Sequence, residues 1–477
     1  MHTLDAMRVP VKLFPTVAFA FSLLSVARIE VASAETWAVS DTAKTWAIQN
    51  VDAGSSSAAP TSLGLVQGYP VISYFGSPHN LRYAALNPQT KVWNLLRVDA
   101  GGEFTSLAVD PAGVVHVAYL DAVTLQLNYW RNNLGQGSIQ LIDSETGQGG
   151  MGFYNSIRAD DQGTPHVSYY YSRSPDGSTT ADRLKYAELN GSTWQTVFAD
   201  PTPGRGRYNS LAIDAATNNP QIAYYDRTAK VLRLAKRIAN LWTTQGVDSA
   251  GDPGRFNSIA LNASGLPRIS YIAATPLQLR YASFNGALWT FEDVGGVGLV
   301  GDRSVTSLKL DSSGNPHISY YDAAAGALKY ASRSAGGVWT IQTVDDVGDV
   351  GWYSSLVLDS QNRPIISYLD GTSQALKIAY GDYPDQDNDG IPDAFDPCPT
   401  NPDCNSNGVV DGKEGGVQST DGAFRLKDEP IFGCGSLAAL SGFRPPGGGP
   451  PPPFDLLALL APGVYLLLRR FCNRRAA

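Results

Sequence analysis

The sequence predicts an all-β chain of repeated four-stranded sheets, and three observations carry that expectation. A unit typified by residues 307–345, SLKLDSSGNPHISYYDAAAGALKYASRSAGGVWTIQTVD, recurs along most of the chain, its anchor serines at Ser62, Ser106, Ser156, Ser210, Ser258, Ser307 and Ser355. The spacings of 44 to 54 residues match the length of one propeller blade. Each unit holds four short apolar runs separated by turn residues. The seventh unit stops after three runs, and the missing Trp-x4-Val-Asp run stands at the other end of the repeats, as Trp46–Asp52.

In the best copy the runs are 307–311, 317–322, 328–331 and 339–345. Ile318 and Tyr320 alternate with His317, Ser319 and Tyr321, and Ser313-Gly314-Asn315-Pro316 breaks the chain between runs. Period-two alternation, β-branched and aromatic residues, and Gly/Asn/Pro breaks are the marks of strands. One four-stranded unit cannot bury both of its faces alone, so neighbours must stack. Radial stacking leaves only short, protected sheet edges. The expected fold is therefore a seven-bladed β-propeller over residues 35–381, with the N-terminal strand completing the last blade. An open solenoid or two sandwiches would leave the complementary ends unexplained.

Composition agrees. The 477 residues include 48 Gly, 30 Pro and 23 Tyr, and only 17% are charged, as in a turn-rich, exported β protein. The net charge of −8 supplies no basic stripe to neutralise phosphates, which argues against a nucleic-acid partner. Residues 1–34 have the layout of a secretory signal: Arg8 and Lys12, an apolar run over 13–27, and a small-x-small site at Ala32-Ser33-Ala34, with Ser25-Val26-Ala27 as the alternative cleavage point.

Within the repeats, His116, His166 and His317 share one slot, one per blade, which suits a packing or surface role better than a metal site. Asp110, Asp214, Asp311 and Asp359 recur at strand ends, where side-chain to backbone hydrogen bonds close turns. An aromatic stands two residues before the anchor serine in five blades: Phe104, Tyr154, Tyr208, Phe256 and Tyr353. Placed in the blade-to-blade loops, these residues would ring one mouth of the channel and stack on sugar faces or receive a protein loop. The packing reading, in which they wedge between blades, is preferred on general grounds.

Sialidase-like propellers carry Ser-x-Asp-x-Gly-x-Thr-Trp boxes, and Asn190-Gly191-Ser192-Thr193-Trp194 approaches one but lacks the Asp. The arginines Arg82, Arg158, Arg205, Arg207, Arg255 and Arg303 are spread over the blades, and no pair of acids declares itself among Glu103, Glu145, Glu188 and Glu292. No catalytic residue is assigned.

After Tyr380 the composition changes. Asp385-Gln386-Asp387-Asn388-Asp389-Gly390-Ile391-Pro392-Asp393-Ala394-Phe395-Asp396 offers oxygens from Asp385, Asp387, Asp389, the Ile391 carbonyl, Asp393 and Asp396 around a turn-forming Gly390, the pattern hard Ca²⁺ needs. A second loop offers Asp403, Asn405, Asn407, the Val409 carbonyl, Asp411 and Glu414. A solvated acidic linker is the alternative, but two copies with Gly at the same offset favour calcium. Cys398 and Cys404 flank the junction, and in an oxidising compartment they can pair.

The run 385–399 resembles thrombospondin type 3 repeats. The resemblance covers about residues 385–414 and implies an extracellular, calcium-stiffened segment, here a stalk over 382–416. Fewer charges in the second loop imply affinity on the order of 10⁻⁴ to 10⁻³ M.

The tail has a Gly433-Cys434-Gly435-Ser436 motif within a Gly/Pro-rich linker over 417–453, then an apolar run over 454–468 and four arginines in the final segment, 454–477. It resembles the C-terminal sorting signals of Gram-negative bacteria (MYXO-CTERM-like), which implies processing or lipidation at Cys434 and attachment to the cell surface or outer membrane. The apolar run is short for a span, and its arginines would keep the C-terminus cytoplasmic. A plain single-span anchor is the alternative.

The sequence therefore points to an exported, calcium-binding surface protein, expected to be monomeric, whose propeller binds glycan or protein without catalysis, as in adhesion. The alternative is a glycan-active hydrolase or lyase on a sialidase-like propeller. A purely architectural role stands beside both.

Overall fold

The structure is a computed structural model. It describes residues 45–414 except 54–59, 77–79, 134–135, 145–149, 173–181, 299–300, 302, 405 and 407–408. The signal segment, Cys434, the Gly/Pro linker and the apolar tail lie outside the described residues. Among the described residues, no helix is long and apolar enough to cross a membrane.

Seven four-stranded antiparallel sheets form the chain's seven-bladed propeller. Six are built from consecutive strands, at 62–99, 103–143, 150–200, 205–248, 253–296 and 306–345. The seventh takes three strands from 350–381 and its outermost strand from the N-terminal end: Trp46–Asp52 pairs antiparallel with Ala375–Gly381, Trp46 opposite Gly381 and Ile48 opposite Ala379.

Each strand buries the residues that alternation assigns to the blade faces. The second strands are buried almost throughout, as in Pro364–Asp370, because both faces meet neighbouring blades. The tyrosine that directly follows the Ser or Ala of these strands (Tyr74, Tyr119, Tyr169, Tyr224, Tyr271, Tyr368) is fully buried. Its hydroxyl donates to the aspartate that ends the previous blade's outer strand: Tyr74 to Asp52 at 2.7 Å, Tyr119 to Asp99 at 2.5 Å, Tyr224 to Asp200 at 2.6 Å, Tyr368 to Asp345 at 2.6 Å. Only the seam between blades five and six, among the described residues, lacks this latch, because Gly295 of blade five stands where the aspartate would be, near the Tyr320 hydroxyl. At the closing seam the aspartate is Asp52, so the N-terminal strand both completes blade seven and holds blade one.

The anchor serine explains itself at the inner edge. Each Ser Oγ accepts the backbone N–H of the residue after the next blade's anchor: Leu107 N to Ser62 (2.8 Å), Ile157 N to Ser106 (3.1 Å), Leu211 N to Ser156 (3.1 Å) and Ile259 N to Ser210 (3.2 Å). Leu308 N to Ser258 (3.1 Å), Leu356 N to Ser307 (3.0 Å) and Leu63 N to Ser355 (3.1 Å) complete the circle. A sheet edge facing the axis would otherwise leave these N–H groups buried and unpaired, at about 1–3 kcal/mol each.

A second buried contact joins the residue opposite one anchor to the residue before the next. Ser73 accepts from Thr105 at 2.8 Å, Ser168 donates to Asn209 Oδ1 at 2.6 Å, and Ser367 meets Thr61 at 2.9 Å. Ala118 and Ala223 fill the serine's place in blades two and four. Facing them, Asn155 Oδ1 and Asn257 Oδ1 are buried without a partner.

Ala223→Ser should therefore stabilise the chain by about 1 kcal/mol in urea unfolding, by giving Asn257 Oδ1 a donor. The gain should vanish in an Asn257→Ala background. Destabilisation, or a gain that survives in that background, would contradict this reading of the seam.

Candidate functional site

The five aromatics before the anchor serines do not sit in loops. Phe104, Tyr154, Tyr208, Phe256 and Tyr353 lie inside the innermost strands Glu103–Val109, Gly150–Ala159, Arg205–Ile213, Pro253–Leu261 and Val350–Leu358. Each strand has a register shift there, between Glu103 and Ser106, Phe153 and Ser156, Arg207 and Ser210, Arg255 and Ser258, and Trp352 and Ser355. The aromatic at each bulge has a left-handed φ of 50 to 54°. Bulges of this kind turn a side chain off the sheet. The sequence reading placed these residues in loops because a non-glycine left-handed residue leaves no signature in a run of strand-forming residues.

Four of the five meet in series. Ring centroids are 5.4 Å apart for Phe104 and Tyr154, 4.7 Å for Tyr154 and Tyr208, and 4.3 Å for Tyr208 and Phe256. The result is one aromatic arc over blades two to five at the end of the channel where the innermost strands begin. Tyr353 is not part of it. It is buried in the core shared by blades seven and one, and its carbonyl accepts from Thr61 at 3.0 Å.

Asparagines brace the bulges: Asn209 Nδ2 donates to the Gly206 carbonyl at 3.1 Å and Asn257 Nδ2 to Gly254 at 3.0 Å. Those glycines have left-handed φ, and a Cβ on Gly206 would lie 2.9 Å from the Leu184 backbone, so the blades approach too closely there for any side chain.

Arginines accompany the arc. The Arg207 guanidinium lies 5.7 Å from the Tyr154 ring centre and 5.4 Å from that of Tyr208, and its Nε has no hydrogen-bond partner. Arg255 bonds Asp252 at 2.7 Å, and Tyr225 donates to the same carboxylate at 2.6 Å. Burial, reinforced by Asp252, pushes the Tyr225 hydroxyl up to about 12. Arg303 stacks on Trp352 at 3.6 Å. Asp182 accepts from Tyr170, and Asp349 from Tyr321 at 2.5 Å. These carboxylates are committed to hydrogen bonds from tyrosines. Arg207, Arg255 and Arg303 lie in separate stretches of the sequence, and only the ring relates their positions.

The histidines are buried blade by blade. His116 Nδ1 is 2.7 Å from the Tyr129 hydroxyl and Nε2 is 3.2 Å from Asp110; His166 repeats this with Tyr186 and Asp160. Burial lowers both imidazole pKa values despite the aspartates. The strand-end aspartates close turns, Asp110 accepting from the N–H groups of Ala112 and Val114 and Asp359 from Gln361 and Arg363.

The acidic segment lies against the ring. Ile391 and Phe395 are buried in the core of blades seven and one, Phe395 5.0 Å from Tyr380 between ring centres. Tyr383 donates to Asp359 at 2.7 Å, and Asn50 Nδ2 donates to the Lys413 carbonyl at 2.9 Å. Gly390, at φ +96°, has no room for a side chain: a Cβ would lie 2.4 Å from the Ile48 carbonyl oxygen. The segment read as a stalk thus begins docked on the N-terminal strand.

Within the first loop, carboxylate oxygens of Asp385, Asp387 and Asp389 lie within 4.8 Å of one another. Asp385 Oδ1, Asp387 Oδ2, Asp389 Oδ2 and Asp396 Oδ2 are buried without a hydrogen-bond partner. Their sister oxygens accept backbone N–H groups, Asp385 from Gly390 and Asp389 from Ile391. Asp393 Oδ1 accepts from Gln386 N at 2.8 Å. Burial, compounded by neighbouring aspartates, raises Asp389 to about 7 and Asp396 to about 6. Clustered, half-orphaned oxygens of this kind have the donor chemistry of a hard divalent cation.

Cys398 and Cys404 form a disulfide, Cα atoms 5.9 Å apart. It brings Asp396 of the first loop near Asp411 of the second, whose carboxylate accepts from Cys404 N at 3.1 Å. Asp403 and Val409 are described; Asn405, Asn407 and the Glu414 side chain lie outside the described residues.

No protein-family model and no curated protein sequence matches the chain. Solved structures do. An ulvan lyase from a polysaccharide lyase family superposes with TM-score 0.51 at 14% identity, over 70% of this chain and 95% of that one. A Dyadobacter fermentans protein of unknown function matches at TM-score 0.44 and 15% identity, over 58% and 93%. An Aleuria aurantia lectin in complex with Fucα1-6GlcNAc matches at 0.42 and 12%, over 63% and 100%. At such identities the likeness is one of fold.

The raised carboxyl pKa values have a sign that can be tested. A folded-state pKa above the unfolded value near 3.9 gives stability that is full below about pH 4 and lost as pH rises through about 7 for Asp389. In EDTA, the thermal midpoint should fall between pH 5 and pH 8, and Asp389→Asn should flatten that slope. An unchanged slope would contradict the crowding of these carboxylates.

Proposed function

We propose that the protein is an exported, surface-tethered binding module whose propeller mouth takes a glycan or protein ligand without chemistry. In this reading, calcium holds the segment after the last blade. The observation that carries the binding site is the aromatic arc. Five non-glycine residues share a left-handed backbone, a conformation costing roughly 1–2 kcal/mol each, and in blades two to five the bulges set four of the rings in contact at one end of the channel. Strain repeated in register points to use. The half-buried rings of Phe104, Tyr154 and Tyr208, backed by the buried Phe256 and interleaved with arginine, suit the flat apolar faces and polar rims of sugars. A protein loop with aromatic or acidic residues would use the same surface.

Catalysis has less support. Asp182, Asp252 and Asp349 are bonded to tyrosines, and the buried tyrosine hydroxyls are raised in pKa, the opposite of what a general base requires. The ulvan lyase likeness carries neither its substrate nor its chemistry to this chain.

Calcium is supported by the orphaned oxygens of Asp385, Asp387, Asp389 and Asp396. These residues would hold the ion, with the Ile391 carbonyl and Asp393 as further donors. Asp403, Asn405, Asn407, the Val409 carbonyl, Asp411 and Glu414 would serve a second. The ion would neutralise the clustered charge and fix the segment on the N-terminal strand. Tethering through Cys434 and the apolar tail completes the proposal.

On a glycan array, Tyr208→Ala should lower affinity by roughly tenfold, the equivalent of ~1.4 kcal/mol, with no release of shortened products. Fragment release would overturn the non-catalytic assignment, and unchanged binding would move the site off the arc. Calorimetric titration should give calcium affinity tighter than about 10⁻³ M, lost in Asp387→Ala. Equal heats from the variant would remove the ion from this loop.

A further inference from the structure

The axial channel holds a feature that neither the mouth nor the acidic loop uses. The residue two past the anchor serine occupies one register position in every blade. In five blades it is small or aliphatic: Gly64, Ala108, Ala212, Ala260 and Val357. In blade three it is Arg158 and in blade six Lys309. Blades four and five separate these two on one side and blades seven, one and two on the other, so they stand across the axis.

Arg158 reaches the axial side of its strand. The free inner edge faces the channel, where the Ile157 N–H meets Ser106 Oγ at 3.1 Å and the Ile157 carbonyl accepts from Arg158 at 2.7 Å. Neither cation has a carboxylate partner among the described residues. The nearby aspartates two residues on, Asp160 and Asp311, are spent on turn N–H groups and on histidines. Two enclosed cations facing one another without an anion are unfavourable in the absence of a third charge.

We propose that the channel binds a small oxyanion, of the sulfate or carboxylate class, between Arg158 and Lys309. The short side chains at the same level turn into the cores between blades, Ala108, Ala212 and Val357 buried there and Gly64 against Leu107 and Val109, so the guanidinium and ammonium are the donors this level offers the channel. The anion spans the ring from blade three to blade six and braces the wheel across its diameter. Burial and the Arg158 charge push the Lys309 ammonium down to about 7, so binding takes up a proton near neutrality. The other charged or titratable groups on strands packed against that of Lys309 are Arg255, Arg268 and Tyr271 in blade five, His317, Tyr320, Tyr321 and Asp322 in blade six, and Tyr353 in blade seven. Arg268 is spent on the carbonyls of Pro267 and Phe284.

The test titrates inorganic sulfate against the full chain at pH 6.5, with chloride at matched ionic strength as control. Saturable binding of sulfate is expected, weakened at least tenfold in Arg158→Met and in Lys309→Met. Affinity in the unaltered chain should also fall roughly tenfold or more between pH 6 and pH 8.5, which keeps the test decisive should a variant fail to fold. A linear, non-saturating response shared with chloride would overturn the site, as would saturable binding that both variants and the higher pH leave unchanged.

Discussion

The hydrogen bond from a backbone N–H to the anchor serine of the preceding blade is the contact on which the wheel depends. The innermost strand of each blade has one edge without a sheet partner, and that edge faces the channel. A serine hydroxyl from the neighbouring blade satisfies it, and repetition around seven seams ends with Leu63 on Ser355, residues 292 apart in sequence. Serine suits the place because a short hydroxyl reaches an adjacent backbone at low side-chain entropy cost.

Everything functional is referred to that circle. The bulge lies immediately before the anchor, so fixing the serine fixes the pitch of the aromatic beside it. The arc therefore forms only because successive anchors hold successive bulges at one height. Arg158 and Lys309 lie two residues past the same anchors, and the ring sets them across the axis. The acidic segment is tied to the seam as well, since Gly390 rests on the Ile48 carbonyl of the closing strand.

The periodicity of the anchor serines and the complementary ends made the architecture readable, because strand alternation and blade length are properties of local sequence. The turn-closing role of Asp110 and Asp359 was readable for the same reason. What local sequence does not record is which residues meet around a ring. Phe104, Tyr154, Tyr208 and Phe256 were visible as a column, yet their place inside bulged strands, and the exclusion of Tyr353, followed from backbone φ and seam packing. The facing of Arg158 and Lys309 is a relation between blades three apart, invisible to any window along the chain. The docking of Phe395 and Gly390 on the ring was likewise hidden, since an alternating acidic pattern carries no record of what the segment touches.

Hydrogen-exchange mass spectrometry tests the closed circle most directly. The peptides bearing the amides of Leu63, Leu107, Ile157, Leu211, Ile259, Leu308 and Leu356 should exchange as one slow class, with Leu63, at the non-covalent seam, as protected as the rest. Exchange at Leu63 and in Trp46–Asp52 well ahead of the other six would show an open chain of blades and contradict the account.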